Sequence, residues 1–293
     1  MSIDVLQEKI RKLKNPSMID MTLPVSELPP HLLQKEGSPA GAYGRFCREL
    51  LERLQGIVPA VRVSFAPFAL LGAEGLNQLS AVLKAASDAN LYVALEAPEI
   101  LSPMMAAYTA DTVFGGEESL WPCDGLIISA YPGTDCVKAF LPYCKEGKKD
   151  LFCVIRTSNK SAPELQDLMT GSRLVHTAAA DLINRFGAET TGKCGYARVA
   201  AMAGGSSAES LRTLRSKYPR LFLMIDDIDY SNCNAKNCAA AFDKFGHGAV
   251  ACMGPTVTAA WKQAESDGMD YLDHASAAAE RMKKNLTRYT TVM

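Results

Sequence analysis

The chain has 293 residues, 48% of them hydrophobic, and a formal net charge of −1. That length suits one large α/β barrel or two ordinary domains, with enough apolar residues for a sizeable core. The near-neutral balance leaves no electrostatic footprint for nucleic acid or an anionic membrane. No run of about 18 apolar residues predicts a membrane span.

In chain order, MSIDVLQEKIRKLKNP reads as an amphipathic helix without the apolar core of a secretory signal. Ser17–Leu23 is a strand bounded by Pro16 and Pro24, followed by a helix at Gly41–Leu54. Val58–Phe65 and Leu91–Ala97 are strands, with helices at Ala73–Ala89 and Ser102–Thr112. Gly125–Ala130 is a fourth strand, and Asp135–Tyr143 its helix. Leu151–Arg156 is a fifth, apolar enough to be buried on both faces. It ends in the polar tip Thr157-Ser158-Asn159, and Ser161, Pro163 and Glu164 then predict an immediate helix start. A main helix is expected at Leu174–Phe186. Strands at Tyr196–Met202, Leu221–Asp226 and Gly248–Cys252 alternate with helices at Ser207–Tyr218, Ala235–Phe245 and from Thr256 to Ala264. The tail beyond Asp273 is helical through Leu286.

This strand–helix alternation predicts an α/β fold of one kind, a TIM (β/α)8 barrel spanning 1–293, with an N-terminal helical extension and a C-terminal helix. The alternative is an open doubly wound sheet, but no Pro-, Gly- or Ser-rich linker divides the chain. A barrel puts function at the C-terminal ends of its strands.

Those ends carry Thr22, Arg62, Glu96 with Glu99, Ser129 with Tyr131, Arg156 with Ser158 and Asn159, Met202, Asp226 with Asp227, and Cys252. Any one of them could be a cap or loop residue. An Arg at a barrel mouth can bind a carboxylate or phosphate with its planar fork, or form a salt bridge to Glu96 across the barrel top. Glu96 and Glu99 could act as acid and base or cap the next helix. Between Lys84 and Lys138 there is no Lys, Arg or His, so the third strand and its loop supply no cationic catalyst. The run Asp226–Asn234 has three aspartates and no Gly, which disfavours a phosphate. It could hold a hard metal ion or cap a helix, and capping is the expectation. The nine cysteines are scattered, and the spacing of Cys233, Cys238 and Cys252 fits no standard zinc pattern. Neither a metal nor a cofactor is expected. The cysteine usage suits a reducing, cytoplasmic setting.

RTSNKSAPELQDL (Arg156–Leu168), CDGLIISAYPGTDCVKAFLPY (Cys123–Tyr143) and AAFDKFGHGAVAC (Ala240–Cys252) resemble segments of the orotidine 5′-phosphate decarboxylase family, in its longer-chain bacterial form. The resemblance spans roughly residues 17–262. It implies a lyase of pyrimidine biosynthesis, a homodimer paired through the barrel mouths, and a nucleotide among the candidate small-molecule ligands. It also implies a pyrimidine contact from Ser158. The family removes CO2 to leave a carbanion, which a Lys stabilises and protonates beside a carboxylate that disfavours the ground state.

The family's motif residues are replaced here. Leu23-Pro24 stands for its Asp-Pro, Arg62 for its second-strand Lys, and LEAPEIL for its Asp-x-Lys-x-x-Asp motif. The segment DIDYSNCNA replaces its Gly-Gln turn, and Pro255 takes the neighbourhood of its phosphate Arg. Two expectations follow. One is a carboxy-lyase using Glu96, Glu99, Arg62 and a displaced Lys160, with Ser158, Asn159, Arg156, Tyr131 and Asp226 binding substrate. The other is an inactive or repurposed barrel that binds another polar small molecule.

Overall fold

The computed structural model describes residues 2–97, 99–116, 119–226 and 233–293. Eight parallel strands close into a barrel: β1 (Ser17–Asp20), β2 (Ala60–Ser64), β3 (Tyr92–Glu96), β4 (Gly125–Ser129), β5 (Asp150–Arg156), β8 (Val199–Gly204), β9 (Leu223–Asp226) and β10 (Ala249–Met253). A two-stranded hairpin, β6 (Met169–Thr170) and β7 (Arg173–Leu174), lies outside the barrel between β5 and β8. The expected barrel is therefore present, with helices at Ile3–Leu13 and Tyr271–Tyr289 at its two chain ends.

Alternation along each strand divides the core in two. Val61, Val63, Val93, Leu95, Leu223 and Ile225 face outward into the shell beneath the helices. Met18, Ala60, Tyr92, Ala94, Phe152, Ala200, Met202, Met224, Val250 and Cys252 fill the interior. The interior floor is aromatic. Phe152 meets Tyr92 and Phe222 edge-on at centroid distances of 6.4 and 6.3 Å, and Tyr196 meets Phe222 at 6.1 Å.

The helix Ile3–Leu13 closes the barrel beneath that layer. Ile3, Leu6 and Ile10 join the interior cluster. Gln7 Oε1 accepts the Gly248 backbone N–H at 2.9 Å, and Asp4 pairs with Arg198 at 2.6 Å. Near the floor, the Tyr92 hydroxyl donates to Asp150 Oδ2 at 2.6 Å. Burial pushes the Asp150 carboxyl up to about 7, against the lowering effect of the Tyr92 hydrogen bond.

Two local expectations change. The first strand ends at Asp20 rather than Leu23, because Asp20 Oδ1 accepts the Thr22 N–H at 2.9 Å and turns the chain. The helix expected from Ser161 is a single 3-10 turn, Ala162–Glu164, and the helix proper is Val175–Ala188. Between them the chain is held back toward β5. Thr157 N–H donates to Gln166 Oε1 at 2.8 Å, and Arg156 grips Asp167 with two hydrogen bonds of 3.0 and 2.9 Å.

Candidate ligand site at the barrel mouth

Strand alternation carries the interior phase up to the mouth. Two residues beyond Met18 stands Asp20, beyond Ala60 stand Arg62 and then Ser64, beyond Ala94 stands Glu96, and beyond Met224 stands Asp226. The same periodicity that buries apolar side chains below thus gathers charge above. Arg62 Nη1 lies 2.6 Å from Asp226 Oδ1, while Nη2 lies 3.2 Å from Glu96 Oε2 and 3.5 Å from Asp20 Oδ2. A hydroxyl chain completes the set. Thr22 Oγ1 donates to Ser64 Oγ at 2.9 Å, and Ser64 Oγ donates to Glu96 Oε2 at 2.6 Å.

Burial alone would pull the Arg62 guanidinium down, but Asp20 and Asp226 hold it well above its ordinary value. It is a permanently charged group. Burial raises the Asp20 carboxyl, and Arg62 offsets only part of that rise. Among the described residues one guanidinium therefore faces three carboxylates, an excess of negative charge in this cluster when all are ionised.

Beside this cluster opens a cavity of about 730 Å3. Phe65, Leu70, Ile100, Ile127 and Val154 form its apolar wall, and Glu96, Glu99, Ser129, Tyr131, Thr157 and Gln166 line the rest. An apolar pocket with a few convergent polar groups is the usual form of a small-molecule site.

The other sequence candidates are placed as follows. Tyr131 lines the cavity, with its hydroxyl donating to the Ile155 carbonyl at 2.8 Å. Arg156 shares its strand phase with Phe152 and Val154, but a register shift between Val154 and Arg156 re-aims it toward Asp167. Asp167 also meets His176 Nδ1 at 3.0 Å, so Arg156 fastens the hairpin segment to β5. Ser158 stands against Gly204, where an added Cβ would come within 2.8 Å of the Ser158 Cα. Asn159 and Lys160 are exposed. Asn159 Oδ1 accepts from Thr157 Oγ1 at 2.5 Å. Residues 227–232 of the aspartate run lie outside the described residues, and with them most of its metal alternative; at the end of the run Asn234 caps the helix Ala235–Cys238, its side chain accepting the Asn237 N–H at 2.9 Å. Among the described residues, no group of three or more His, Cys, Asp or Glu is disposed to hold a metal ion.

Sequence reasoning missed Asp20, Ser64, Phe65 and Gln166. Strand phase would have found the first two, because each stands two or four residues along from a buried interior residue. Gln166 has no such signal, because it reaches the cavity only by the fold-back of its segment onto Thr157.

Fold and site together define a (β/α)8 barrel with a ligand-sized, acid-rimmed mouth. No family model matches the chain. It is 29% identical over 260 residues to orotidine 5′-phosphate decarboxylase of Rhodopirellula baltica, covering 86% of each chain. It is 25% identical to the enzyme of that name from Clostridium kluyveri, covering 98% of both. Among solved structures, the orotidine-monophosphate decarboxylase of Leishmania donovani superposes with a TM-score of 0.77 at 21% identity, covering 99% of both chains. That of Plasmodium berghei superposes with a TM-score of 0.79 at 14% identity, covering 98% of both. Along most of its length the chain is similar to proteins of the orotidine 5′-phosphate decarboxylase family, at 29% identity or less.

Proposed function

We propose that the mouth binds a small polar molecule and that the chain does not decarboxylate orotidine 5′-phosphate. The observation that carries this is the pairing of Arg62 with Asp20, Glu96 and Asp226. The family's reaction needs an ammonium beside a carboxylate, both to meet the developing carbanion and to protonate it. Here the cation of the second strand is a guanidinium that holds its proton, with its charge already met by carboxylates. The same excess of carboxylates opposes a phosphate monoester. A neutral ligand rich in hydroxyl or amide groups, with one apolar face toward Phe65 and Ile127, fits better. Glu96, Glu99, Ser129, Thr157 and Gln166 would supply its hydrogen bonds.

The test is direct. Purified protein at high concentration with orotidine 5′-phosphate is expected to form no UMP, followed by chromatography. Sustained turnover to UMP would overturn the proposal and make Lys160 the first donor to examine. A thermal-shift screen of nucleosides, sugars and nucleotides should show stabilisation by unphosphorylated compounds. A flat response to all of them would count against a ligand site.

The proposal also includes pairing as a homodimer. Leu70, Leu101, Met104 and Tyr108, on segments that follow β2 and β3, are 86%, 72%, 75% and 67% exposed. Such large exposed side chains on one side of a barrel favour a partner surface. Light scattering should report a dimer, and Met104→Glu should shift it toward monomer. No helix among the described residues is long and apolar enough to cross a membrane. A cytoplasmic setting would keep the nine free cysteines reduced.

A further inference from the structure

We propose that Cys233 and Cys238 form a redox-active dithiol that closes reversibly to a disulfide. Their Sγ atoms lie 3.3 Å apart, and the side chains are 2% and 0% exposed. The contact follows from helix-start geometry. Asn234 is the N-cap of the short helix Ala235–Cys238, with its side chain accepting the Asn237 N–H at 2.9 Å. Cys233 therefore occupies the position before the cap, and Cys238 the fourth position of the helix. Side chains at these two positions meet across the helix start, where an apolar pair usually packs. Here two thiols hold that place.

The surroundings are fitted to the pair. A Cβ on Gly205 would come within 2.2 Å of Cys233 Sγ and 3.2 Å of Cys238 Sγ, so the chain leaving β8 passes the pair with a residue that has no side chain. The two sulfurs are held together but short of bonding, since a disulfide needs about 2.05 Å. A movement of roughly an ångström, within reach of side-chain torsions, separates the two states.

The oxidant suited to so enclosed a pair is a small peroxide. One thiolate attacks a peroxide oxygen, the O–O bond breaks, and a sulfenic acid and hydroxide result. The second thiol then displaces the sulfenic oxygen as water, and the S–S bond forms. Two thiols and one hydrogen peroxide give one disulfide and two waters. An added dithiol reverses the change by exchange. The disulfide would tie the residue before the cap of this helix to the helix's first turn.

The experiment treats folded full-length protein with stoichiometric hydrogen peroxide, then unfolds it in the presence of an alkylating agent for mass spectrometry. The count of alkylated cysteines should fall from nine by two. Peptide mapping should show Cys233 joined to Cys238, and dithiothreitol should restore all nine. Cys233→Ser and Cys238→Ser should each abolish the linked peptide while the other cysteines remain alkylated. Full alkylation of the treated wild-type chain would overturn the proposal, as would linkage through other cysteines. The wild-type peptide map decides the matter even if a variant fails to fold.

Discussion

Replacing Arg62 by Met should cost about 3–5 kcal/mol of stability near neutral pH, because it leaves the largely buried Asp20 and Asp226 without their counter-charge. Asp20, Glu96 and Asp226 all lie within 3.5 Å of the guanidinium in the native chain. Without it, Asp20 loses its largest lowering influence, and its carboxyl, already raised mainly by burial, rises further. The variant's Asp20 would therefore keep its proton to higher pH than in the wild type. As pH falls toward the ordinary carboxylate range, the variant's carboxylates are neutralised while the wild-type guanidinium loses its ionised partners. The stability gap should therefore narrow with falling pH. Denaturant titrations of both proteins at pH 4.5 and 7.5 would show this. A gap that stays constant would mean that the guanidinium contributes only packing.

Asp150→Asn should have the opposite sign. The native carboxyl is raised from 3.8 to about 7, mainly by burial. Above about pH 4 the unfolded chain releases this proton, while the folded chain retains it up to about 7. Rising pH therefore favours unfolding across that window, and the effect levels off above it. An amide at the same place can still accept from Tyr92 and has no proton to lose. Between pH 5 and pH 8 the variant should gain about 2–3 kcal/mol relative to the wild type. Parallel pH–stability curves for the two proteins would rule out a raised Asp150.

The barrel was legible because its signals are local and repeated. Apolar runs such as Leu151–Ile155 and Leu221–Ile225 are short, and helical periodicity follows them. Arg62, Glu96 and Asp226 were legible as strand ends, but their meeting depends on closure, which brings β9 across from β2. The pairing with Glu96 was one of two alternatives open from the sequence. Asp20 was hidden because SMIDMTL reads as one continuous strand, and only the hydrogen bond from the Thr22 amide ends it early. Arg156 was placed at the mouth because it ends its strand, yet a shift in pairing to β8 turned it aside. Such shifts leave no mark in hydropathy. The Ser161–Glu164 start signal yielded only one turn because Gln166 and Asp167 bond back to Thr157 and Arg156. Tertiary contacts overrode a local preference there.

The bond between Gln7 and Gly248 joins positions 241 apart in the chain. A nascent polypeptide emerging from the ribosome can therefore form its opening helix early but cannot dock it until the last strand has been synthesised. Until that moment Ile3, Leu6 and Ile10 have no finished surface to cover, and the rings of Tyr92 and Phe152 stay within reach of water. Completion of the underside is thus a late, cooperative event in assembly, and chains halted before Gly248 should be prone to stick to one another.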